Sequence, residues 1–472
     1  MQQPQTAIHD NSNTAKGYKE LKGQTSAQDG LPAPQIYWAW ATLMIGLTLA
    51  VLDGTIANVA LPTIARDFNA GAAASIWIVN GYQLAIVITI LPFAALGEIY
   101  GYRRIYLSGV ALFTLASLAC VFANSLEMLT FSRVIQGFGA AGLMSVNTAL
   151  LRFCVPQAKF GTAIGLNAFF VALSSTIGPS LAGVILHFLS WPWLFFINVP
   201  LGLLTLILGV KSLPLNDLSA RKFDILSAVL TAIVLGLIVI TIDNAGANTP
   251  IFAIILQIII AGFACVWLIK RSMHKQDPLL PLDLLRIPVF SLSLCTSIMS
   301  FIAQMMALLS LPFLFQVVFG YQPIAVGFLM MPWPIALAII APFSGKLSDR
   351  YSPALLGLIG LIIFAIGLIL VGFLPSEPSI VDICWRMAIC GIGFGFFQAP
   401  NNRMIITSAP KKRSGAASGM LGTARLLGQS LGAAFVALFL STMGVQNIPH
   451  IMFIAASFAI IAALISISRA KT

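Results

Sequence analysis

The sequence contains fourteen stretches of mostly apolar residues, each about as long as a helix that crosses a bilayer. Such a helix needs about 20 residues, and its backbone hydrogen bonds must be satisfied within the helix because the hydrocarbon core holds no water. We therefore predict fourteen membrane-spanning helices, numbered spans 1 to 14. They cover roughly residues 36–60, 75–96, 105–124, 127–150, 160–187, 191–211, 224–243, 250–270, 289–317, 324–344, 354–374, 382–406, 415–440 and 447–468.

The scarcity of charged residues supports this prediction. Hydrophobic residues make up 58% and charged residues 9% of the 472 positions, whereas about 25% of the residues in soluble domains are charged. The 15 acidic residues are too few to solvate a soluble protein of this size. This composition excludes a soluble enzyme, a disordered scaffold and a soluble nucleic-acid-binding protein. It predicts an all-α polytopic membrane protein whose surroundings are the lipid bilayer.

The net charge of +11 reflects an uneven distribution of basic residues along the chain. If the N-terminus is cytoplasmic and the spans alternate, 22 of the 26 Lys and Arg residues fall in cytoplasmic segments. The external loops hold only Arg66, while Arg133, Arg386 and Arg425 lie within spans. Basic residues accumulate on the cytoplasmic side of membrane proteins. We therefore expect both termini in the cytoplasm and no nucleic-acid partner.

Motifs of the first half recur in the second half at offsets between 250 and 254 residues. This repetition predicts two parallel six-helix halves, residues 36–212 and 286–472, joined by a linker at 213–285 that carries two extra spans. Residues 1–35 are polar and predict a disordered cytoplasmic tail. Parallel halves with a substrate site between them, near the membrane midplane, are a known transporter architecture. The repeated pairs are Leu61-Pro62 with Leu311-Pro312, Arg133 with Arg386, Gly165 with Gly419, and Gly178 with Gly432.

Asp53 is the only acidic residue well inside any predicted span. A charge at this depth costs at least about 2.5–3.5 kcal/mol, so it requires a reason. Asp53 lies about 25 Å along span 1, and Arg133 lies about 9 Å into span 4 from the outer face, at 1.5 Å per residue. The two side chains are therefore predicted at similar depth, facing each other. Two roles fit them: a static ion pair between the spans, or a carboxylate that loads and releases a proton.

Charged residues also cluster in two cytoplasmic loops, after span 2 and after span 10. They serve either to set the topology alone or to form a charge relay that locks the two halves in one state. The sequence has no G-x-x-x-x-G-K-[ST] phosphate loop and no cysteine pair with metal-ligand spacing. We therefore expect no ATP hydrolysis, no metal and no cofactor. The loop residues are Glu98, Gly101, Arg103 and Arg104 in the first loop, and Asp349 and Arg350 in the second.

Four stretches resemble the signatures of one transporter family. Residues 52–62 (LDGTIANVALP) and 133–141 (RVIQGFGAA) resemble its span 1 and span 4 signatures, and 191–200 (WPWLFFINVP) resembles the start of its span 6. Residues 178–183 (GPSLAG) resemble its span 5 antiporter motif, with Gly178, Pro179 and Gly183 at the key positions. The family is that of the fourteen-spanner drug:proton antiporters, the EmrB/QacA type, within the major facilitator superfamily.

The resemblance implies a major facilitator fold of two six-helix halves plus two linker helices. It implies that Asp53 is the proton-coupling carboxylate, that Arg133 is its partner, and that the proton gradient supplies the energy. Glu98, Arg103 and Arg104 would form a gating loop. This loop departs from the family pattern at Ala94, Glu98 and Ile99, and span 10 lacks the acidic residue that some members carry for dications.

Several aromatic and methionine residues are candidates for the wall of a substrate cavity, because aromatic rings attract cations and methionine adapts to varied shapes. The alternative for each is packing or contact with lipid. Together with the family resemblance, they favour export of amphipathic drugs, dyes or cationic biocides across a bacterial inner membrane by alternating access. Export of a specific metabolite, amino acid or siderophore is the alternative. The candidates are Trp77, Tyr82, Phe301, Met305, Trp333, Phe396 and Gln398.

The charge distribution predicts the topology. Reporter fusions or cysteine labelling should place both termini and the segments 213–223 and 271–288 in the cytoplasm, because these segments hold basic residues. Either terminus on the outside would contradict the fourteen-span arrangement.

Overall fold

The computed structural model describes residues 30–156, 160–215, 218, 223–245, 249–273, 282–348, 350–410 and 414–469. Fourteen helices within these ranges are long and apolar enough to cross a membrane, so the predicted number of spans is confirmed. The described residues contain no β-strand. Most of the predicted tail at 1–35 lies outside the described residues, and so does Asp349.

The helices are numbered α1 to α14 in the order of the predicted spans. Two of them are interrupted: α6 consists of Pro192–Phe196 and Asn198–Ser212, and α10 of Pro323–Leu329 and Pro332–Leu347. The others are α1 Gln35–Asp67, α2 Ala72–Tyr100, α3 Tyr102–Val121, α4 Leu126–Cys154, α5 Phe160–Phe188, α7 Ile225–Ala245, α8 Ile251–Met273, α9 Pro288–Val318 (its last turn a π-helix), α11 Pro353–Gly372, α12 Ile380–Ser408, α13 Ser414–Met443 and α14 Val445–Arg469 (its first turn a 3₁₀-helix).

Capping residues and prolines explain where several helices begin. The hydroxyls of Ser125 and Ser379 accept hydrogen bonds from the backbone N–H groups of Met128 and Asp382, at 3.2 and 3.1 Å, and so cap α4 and α12. Helices α9, α10 and α11 each have proline in their first turn. Proline fits this position because the N–H groups of the first turn have no partner within the helix.

The same packing pattern occurs in both sets of six helices. In the first set, the main contacts are α3 with α4, α2 with α4, α1 with α5, α1 with α6, and α3 with α6. In the second set the corresponding pairs, eight helices later, also pack together: α11 with α12, α10 with α12, α9 with α13, α9 with α14, and α11 with α14. This correspondence agrees with an internal repeat; the boundaries at 212 and 286 remain a prediction.

Glycines allow neighbouring helices to approach closely. A Cβ atom at Gly109 in α3 would lie 2.7 Å from the backbone nitrogen of Leu143 in α4, and one at Gly367 in α11 would lie 2.8 Å from that of Cys390 in α12. Small residues at such positions strengthen helix packing in membranes, because the backbones can come into contact. Each six-helix set is therefore a tightly packed body.

The two sets meet along two seams. Helices α2 and α13 form one seam, and Ser430 in α13 donates a hydrogen bond of 3.1 Å to Asn80 in α2. In the other seam, α5 packs mainly against the first segment of α10 and only slightly against the second. Gln316, at the end of α9, donates a 2.8 Å hydrogen bond to the carbonyl of Val59. Apart from α2 and α13, these contacts lie toward the end of the bundle remote from the chain termini.

The linker helices pack against one seam only. Helix α7 contacts α8 and also both α2 and α13, so it covers the line where these two helices meet. Asp224 and Arg271, at the ends of α7 and α8, form an ion pair of 2.9 Å. Helix α8 is mostly exposed. The linker is therefore attached to the bundle through α7.

The glycine contacts lead to a prediction about stability. Gly109→Ala should lower the free energy of unfolding by about 1–3 kcal/mol, the usual cost of overpacking a tight contact. Gly262→Ala in α8 is the matched control, because no atom lies within 4 Å of the added methyl group. Thermal unfolding of the purified variants in detergent measures the difference, and equal stability of the two would contradict the inferred contact.

Candidate functional site

The carboxylate of Asp53 in α1 is bound by three side chains from two other helices. Arg133 in α4 forms an ion pair with Oδ2. Gln136 in α4 and Asn198 in α6 each donate a hydrogen bond to Oδ1, at 3.0 and 2.7 Å. Asp53 is 2% exposed and Arg133 is fully buried. A buried charge is tolerated when it is paired and hydrogen-bonded. Arg133 supplies the opposite charge, and Gln136 and Asn198 supply the further hydrogen bonds to the carboxylate.

Arg133 also binds a fourth helix. Its Nε donates a hydrogen bond of 3.1 Å to the backbone carbonyl of Ile78 in α2. Its guanidinium lies 4.1 Å from the centre of the Tyr82 ring, close enough for a cation–π interaction. A second nitrogen, Nη1, donates to Gln136 as well as to Asp53. The pair therefore joins α1, α2, α4 and α6 at one point.

Local sequence explains how these side chains meet. Arg133 and Gln136 are three residues apart, so they lie on the same face of α4. Asn198 begins the second segment of α6, directly after the break at Ile197. Sequence reasoning predicted the meeting of Asp53 and Arg133 but did not identify Gln136 and Asn198 as ligands of the carboxylate. Their position within two of the signature stretches was the available signal.

The first cytoplasmic loop contacts its own half. Gly101 has a φ of 104°, which favours glycine, and it links α2 to α3 in a sharp turn. Arg103 donates a hydrogen bond to the carbonyl of Val210 in α6. Glu98 and Arg104 are exposed. The loop thereby ties α6 to the junction of α2 and α3.

In the second loop, Asp349 lies outside the described residues. Arg350 is exposed, and its backbone N–H donates to the carbonyl of Leu347 at 3.0 Å.

The predicted antiporter motif in α5 packs against both halves. A Cβ atom at Gly178 would lie 2.9 Å from the Cβ of Thr55 in α1, and one at Gly183 would lie 2.8 Å from the carbonyl oxygen of Pro323 in α10. The glycines thus bring α5 into close contact with α1 on one side and with α10 on the other. Pro179, between them, lines a cavity.

This cavity, of about 70 Å³, lies between the two halves. Its wall is formed by α1 and α5 from the first half and by α9 and α10 from the second. Most of its surface is apolar, with two side-chain amides and two hydroxyls. The lining residues are Thr55, Asn58, Val59, Ser175, Pro179, Gln304, Leu308, Met330, Trp333, Pro334 and Leu337. Asp53 is not among them.

Of the aromatic and methionine candidates for the cavity wall, the structure places Trp333 there. Tyr82 lies under Arg133 and donates a hydrogen bond of 3.2 Å to the carbonyl of Ala50. Trp77 is not among the cavity residues; its side chain lies beside Asp243 in linker helix α7.

The remaining candidates lie within the second half or at its edge. Phe301 packs edge-to-face on Phe394 at 5.3 Å. The sulfur of Met305 lies 3.7 Å from the side-chain nitrogen of Gln83, across the seam between the halves. Phe396 accepts a hydrogen bond from Ser344 at its backbone carbonyl, and Gln398 is partly exposed. None of these four residues lines the described cavity.

Comparison with known proteins identifies the family. A model described as Major Facilitator Superfamily matches residues 43–433, which is most of the chain. The chain belongs to the major facilitator superfamily.

Members of the superfamily are membrane transporters. Three relatives show how similar this chain is to other members. The chain is 52% identical to the "Uncharacterized transporter YebQ" of Escherichia coli, over 93% of this chain and 96% of that protein. It is 31% identical to the "Riboflavin transporter RibZ" of Clostridioides difficile, over 85% of this chain and 88% of that protein. It is 29% identical to the "Multidrug export protein EmrB" of Escherichia coli, over 86% and 80%. The resemblance drawn from the four signatures is therefore confirmed.

Solved structures of the superfamily show the same fold. A bacterial homologue of the human lysosomal transporter Spinster, in an inward-facing and unoccupied conformation, matches with a TM-score of 0.67. The match covers 93% of this chain and 98% of the other at 16% identity. The chain is accordingly a multi-pass membrane protein with the major facilitator fold.

The buried network predicts a specific response to a change from arginine to lysine. Arg133→Lys should lower the free energy of unfolding by about 1–3 kcal/mol, because an ammonium group cannot reach Asp53, Gln136 and the Ile78 carbonyl together and leaves buried groups unsatisfied.

Arg386→Lys is the matched control. Arg386 in α12 pairs with Asp382 at 3.0 Å, but the two side chains are 14% and 23% exposed. A partly exposed pair is screened by solvent and contributes less than a fully buried one, so this variant should lose less stability than Arg133→Lys. Thermal unfolding in detergent compares the two, and an equal loss in both variants would contradict a special role for the buried network.

Proposed function

We propose that the protein is a proton-coupled antiporter that exports amphipathic small molecules by alternating access. The observation that carries the proposal is the position of Asp53. It is the only acidic residue buried inside the described helical core, and it lies in α1, one of the helices that form the wall of the cavity. The superfamily relationship and the multidrug exporter among the relatives support it.

The geometry of α1 suggests how proton binding and substrate binding are coupled. Asp53 faces α4 and α6, whereas Thr55, Asn58 and Val59, within the next two turns, face the cavity. Protonation of Asp53 removes the negative charge that holds Arg133, Gln136 and Asn198. Loss of these interactions frees α1 to shift relative to α4 and α6. A shift of α1 moves the cavity wall, so the proton and the substrate act on the same helix.

We propose that the loop residues Glu98, Gly101, Arg103, Arg104, Asp349 and Arg350 act as a gate at the cytoplasmic face. The hydrogen bond from Arg103 to Val210 supports this role, because it links the loop to α6, the helix that supplies Asn198. Movement of α6 after protonation would therefore reach the loop directly. The antiporter motif, at Gly178, Pro179 and Gly183, would act as a pivot between α1 and α10.

We further propose that the protein lies in a bacterial inner membrane with both termini in the cytoplasm, as the distribution of 22 basic residues indicates. In this orientation the close contacts between α5 and the first segment of α10 lie at the outer side. The proton gradient would supply the energy without ATP or another cofactor.

Transport of a specific metabolite is a second candidate. The relative that is named a riboflavin transporter supports it. The cavity is small, and its lining includes the amides of Asn58 and Gln304, one from each half. Such paired amides suit a substrate with hydrogen-bonding edges, as in a heteroaromatic ring.

The coupling role of Asp53 can be tested in everted membrane vesicles. Asp53→Asn should abolish accumulation driven by the proton gradient, because the amide cannot bind and release a proton at this site. The probes are ethidium, riboflavin, dansyl-6-aminohexanoate and the methyl ester of the last compound. Exchange of a transported probe without a gradient should persist, which also shows that the variant is folded.

Asp382→Asn is the control, since its carboxylate is partly exposed and lies outside the buried network. This variant should retain gradient-driven transport. Full gradient-driven transport by Asp53→Asn would contradict the coupling role. Absence of gradient-driven transport of all four probes by the wild type would contradict the proposed function.

A further inference from the structure

Arg425 is a charged residue inside the membrane-spanning helix α13. The proposed coupling mechanism gives Arg425 no role. It lies eleven residues after Ser414, which is about 16 Å along the helix. A guanidinium at such a depth is expensive unless it is paired, and it usually marks a substrate or ion pathway.

Three sides of α13 are occupied by other helices. Ser430 and Leu426 face α2: the first donates to Asn80, and the second belongs to the same buried cluster as Tyr82. Gly428 faces α9, where a Cβ atom would lie 2.7 Å from the carbonyl oxygen of Ile298. Leu427 packs with the cluster that also includes Leu235 of linker helix α7.

The fourth side of α13 faces the space between the halves. At 100° per residue, Gly422, Arg425 and Gln429 lie on this side. No atom lies within 4 Å of a Cβ built at Gly422. Arg425 is surrounded by protein, yet part of its side chain is accessible. A side chain that is surrounded by protein and still partly accessible lines an internal space, whereas a side chain that faces lipid is not surrounded by protein.

The same side of α13 is closed at the other end of the helix. Val436 and Leu440 are buried in a cluster that includes Ile56 of α1 and Met305 of α9. This side of α13 is therefore packed at the end remote from the termini, and Arg425 lies nearer the other end of the helix.

Arg425 has no hydrogen-bond or ion-pair partner among the described residues. The other arginines buried or half-buried in the spans do have one: Arg133 binds Asp53, Arg386 binds Asp382, and Arg469 binds Asn401. The side chain of Arg425 is thus a cation whose counter-charge is not supplied by the part of the protein that the structure describes.

The three buried or half-buried acidic residues of the described spans are engaged elsewhere. Asp53 is held by three donors, Asp382 is paired with Arg386, and Asp243 lies beside Trp77 in the contact between α2 and α7. None of the three lines the cavity. The space between the halves therefore presents one guanidinium and no carboxylate from these residues, which is the opposite of a site built for a cation.

The distance from Arg425 to the cavity suits an amphipathic molecule. Gly432 packs against Met305, next to the cavity residue Gln304, and so marks the level of the cavity on α13. Arg425 lies seven residues before Gly432, which is about 10 Å closer to the end with the termini. A molecule with an apolar ring in the cavity and an acidic group about 10 Å away would reach both.

We propose that Arg425 binds the anionic group of the transported substrate, while Trp333 and its neighbours hold the apolar part. The preferred substrate class is then a singly charged amphipathic anion, such as an aromatic carboxylate, and not a lipophilic cation. This inference rests on the proposed export function, because it assigns the charge of the molecule that the same cavity carries. A guanidinium is suited to the task, since it binds a carboxylate with two parallel hydrogen bonds.

The test compares two probes that differ only in charge. Dansyl-6-aminohexanoate has an aromatic ring and a carboxylate, and its methyl ester has the same skeleton without the charge. Binding of each to the purified protein in detergent is measured by dansyl fluorescence. The wild type should bind the carboxylate about tenfold more tightly than the ester, the usual effect of a hydrogen bond to a charged group.

Three variants separate the anion site from other effects. Arg425→Gln should remove the preference for the carboxylate and leave affinity for the ester unchanged, which also shows that the variant is folded. Arg425→Lys should keep most of the preference because it keeps the charge. Arg66→Gln, which removes an exposed arginine from the last turn of α1, should behave as the wild type.

Two outcomes overturn the proposal: a wild type without preference for the carboxylate, whether it binds both probes or neither, and a preference that survives in Arg425→Gln. Failure of the export function is distinguished by vesicle transport. If the binding preference is present but no probe moves with the proton gradient, the anion site stands and the antiporter mechanism fails. If the ester is transported and the carboxylate is not preferred, the antiporter stands and the anion site fails.

Discussion

The packing of the first half depends on one interaction, in which neighbouring side chains compensate the negative charge of a carboxylate buried inside a membrane protein. Asp53 is stable where it lies only because a guanidinium and two amides surround it. Each of those groups comes from a helix that must keep its position and rotation for the contact to form. The interaction therefore fixes the arrangement of α1, α4 and α6, and through the bond from Arg133 to Ile78 it also fixes α2. A carboxylate that is tied to four helices is well placed to pass a change of its own charge to all of them.

The two halves share a scaffold but place their polar networks differently. In the first half the buried arginine is paired with an acid near the end remote from the termini. In the second half, Arg386 and Asp382 pair in a partly exposed position at that end, and the deeply buried cation is Arg469, at the opposite end. Arg469 is bound by the neutral groups of Asn401 and Ser293. The proposed coupling carboxylate, Asp53, belongs to the first half, and the described partners of Arg469 in the second half are neutral.

Much of the fold could be predicted from the sequence, because span length, charge distribution and depth are one-dimensional properties. The depths of Asp53 and Arg133 were enough to predict that they meet. The direction of a side chain around its helix is a different matter, because a uniformly apolar span gives little sign of which face is buried. Trp77 illustrates this: it lies on α2 as expected, but the structure turns it toward Asp243 and the linker. Gln136 and Asn198 were overlooked because an amide carries no charge that demands a partner.

The linker is attached asymmetrically, so the two lateral flanks of the bundle are not equivalent. A major facilitator bundle has two lateral seams through which a leaflet of the bilayer borders the central space. Helix α7 covers the seam between α2 and α13. At the other seam, α5 has few contacts with the second segment of α10, Pro332–Leu347, the segment nearer the termini. The two flanks of the bundle therefore differ: α7 covers one of them, whereas on the side of the termini the other is closed by fewer contacts between the described helices.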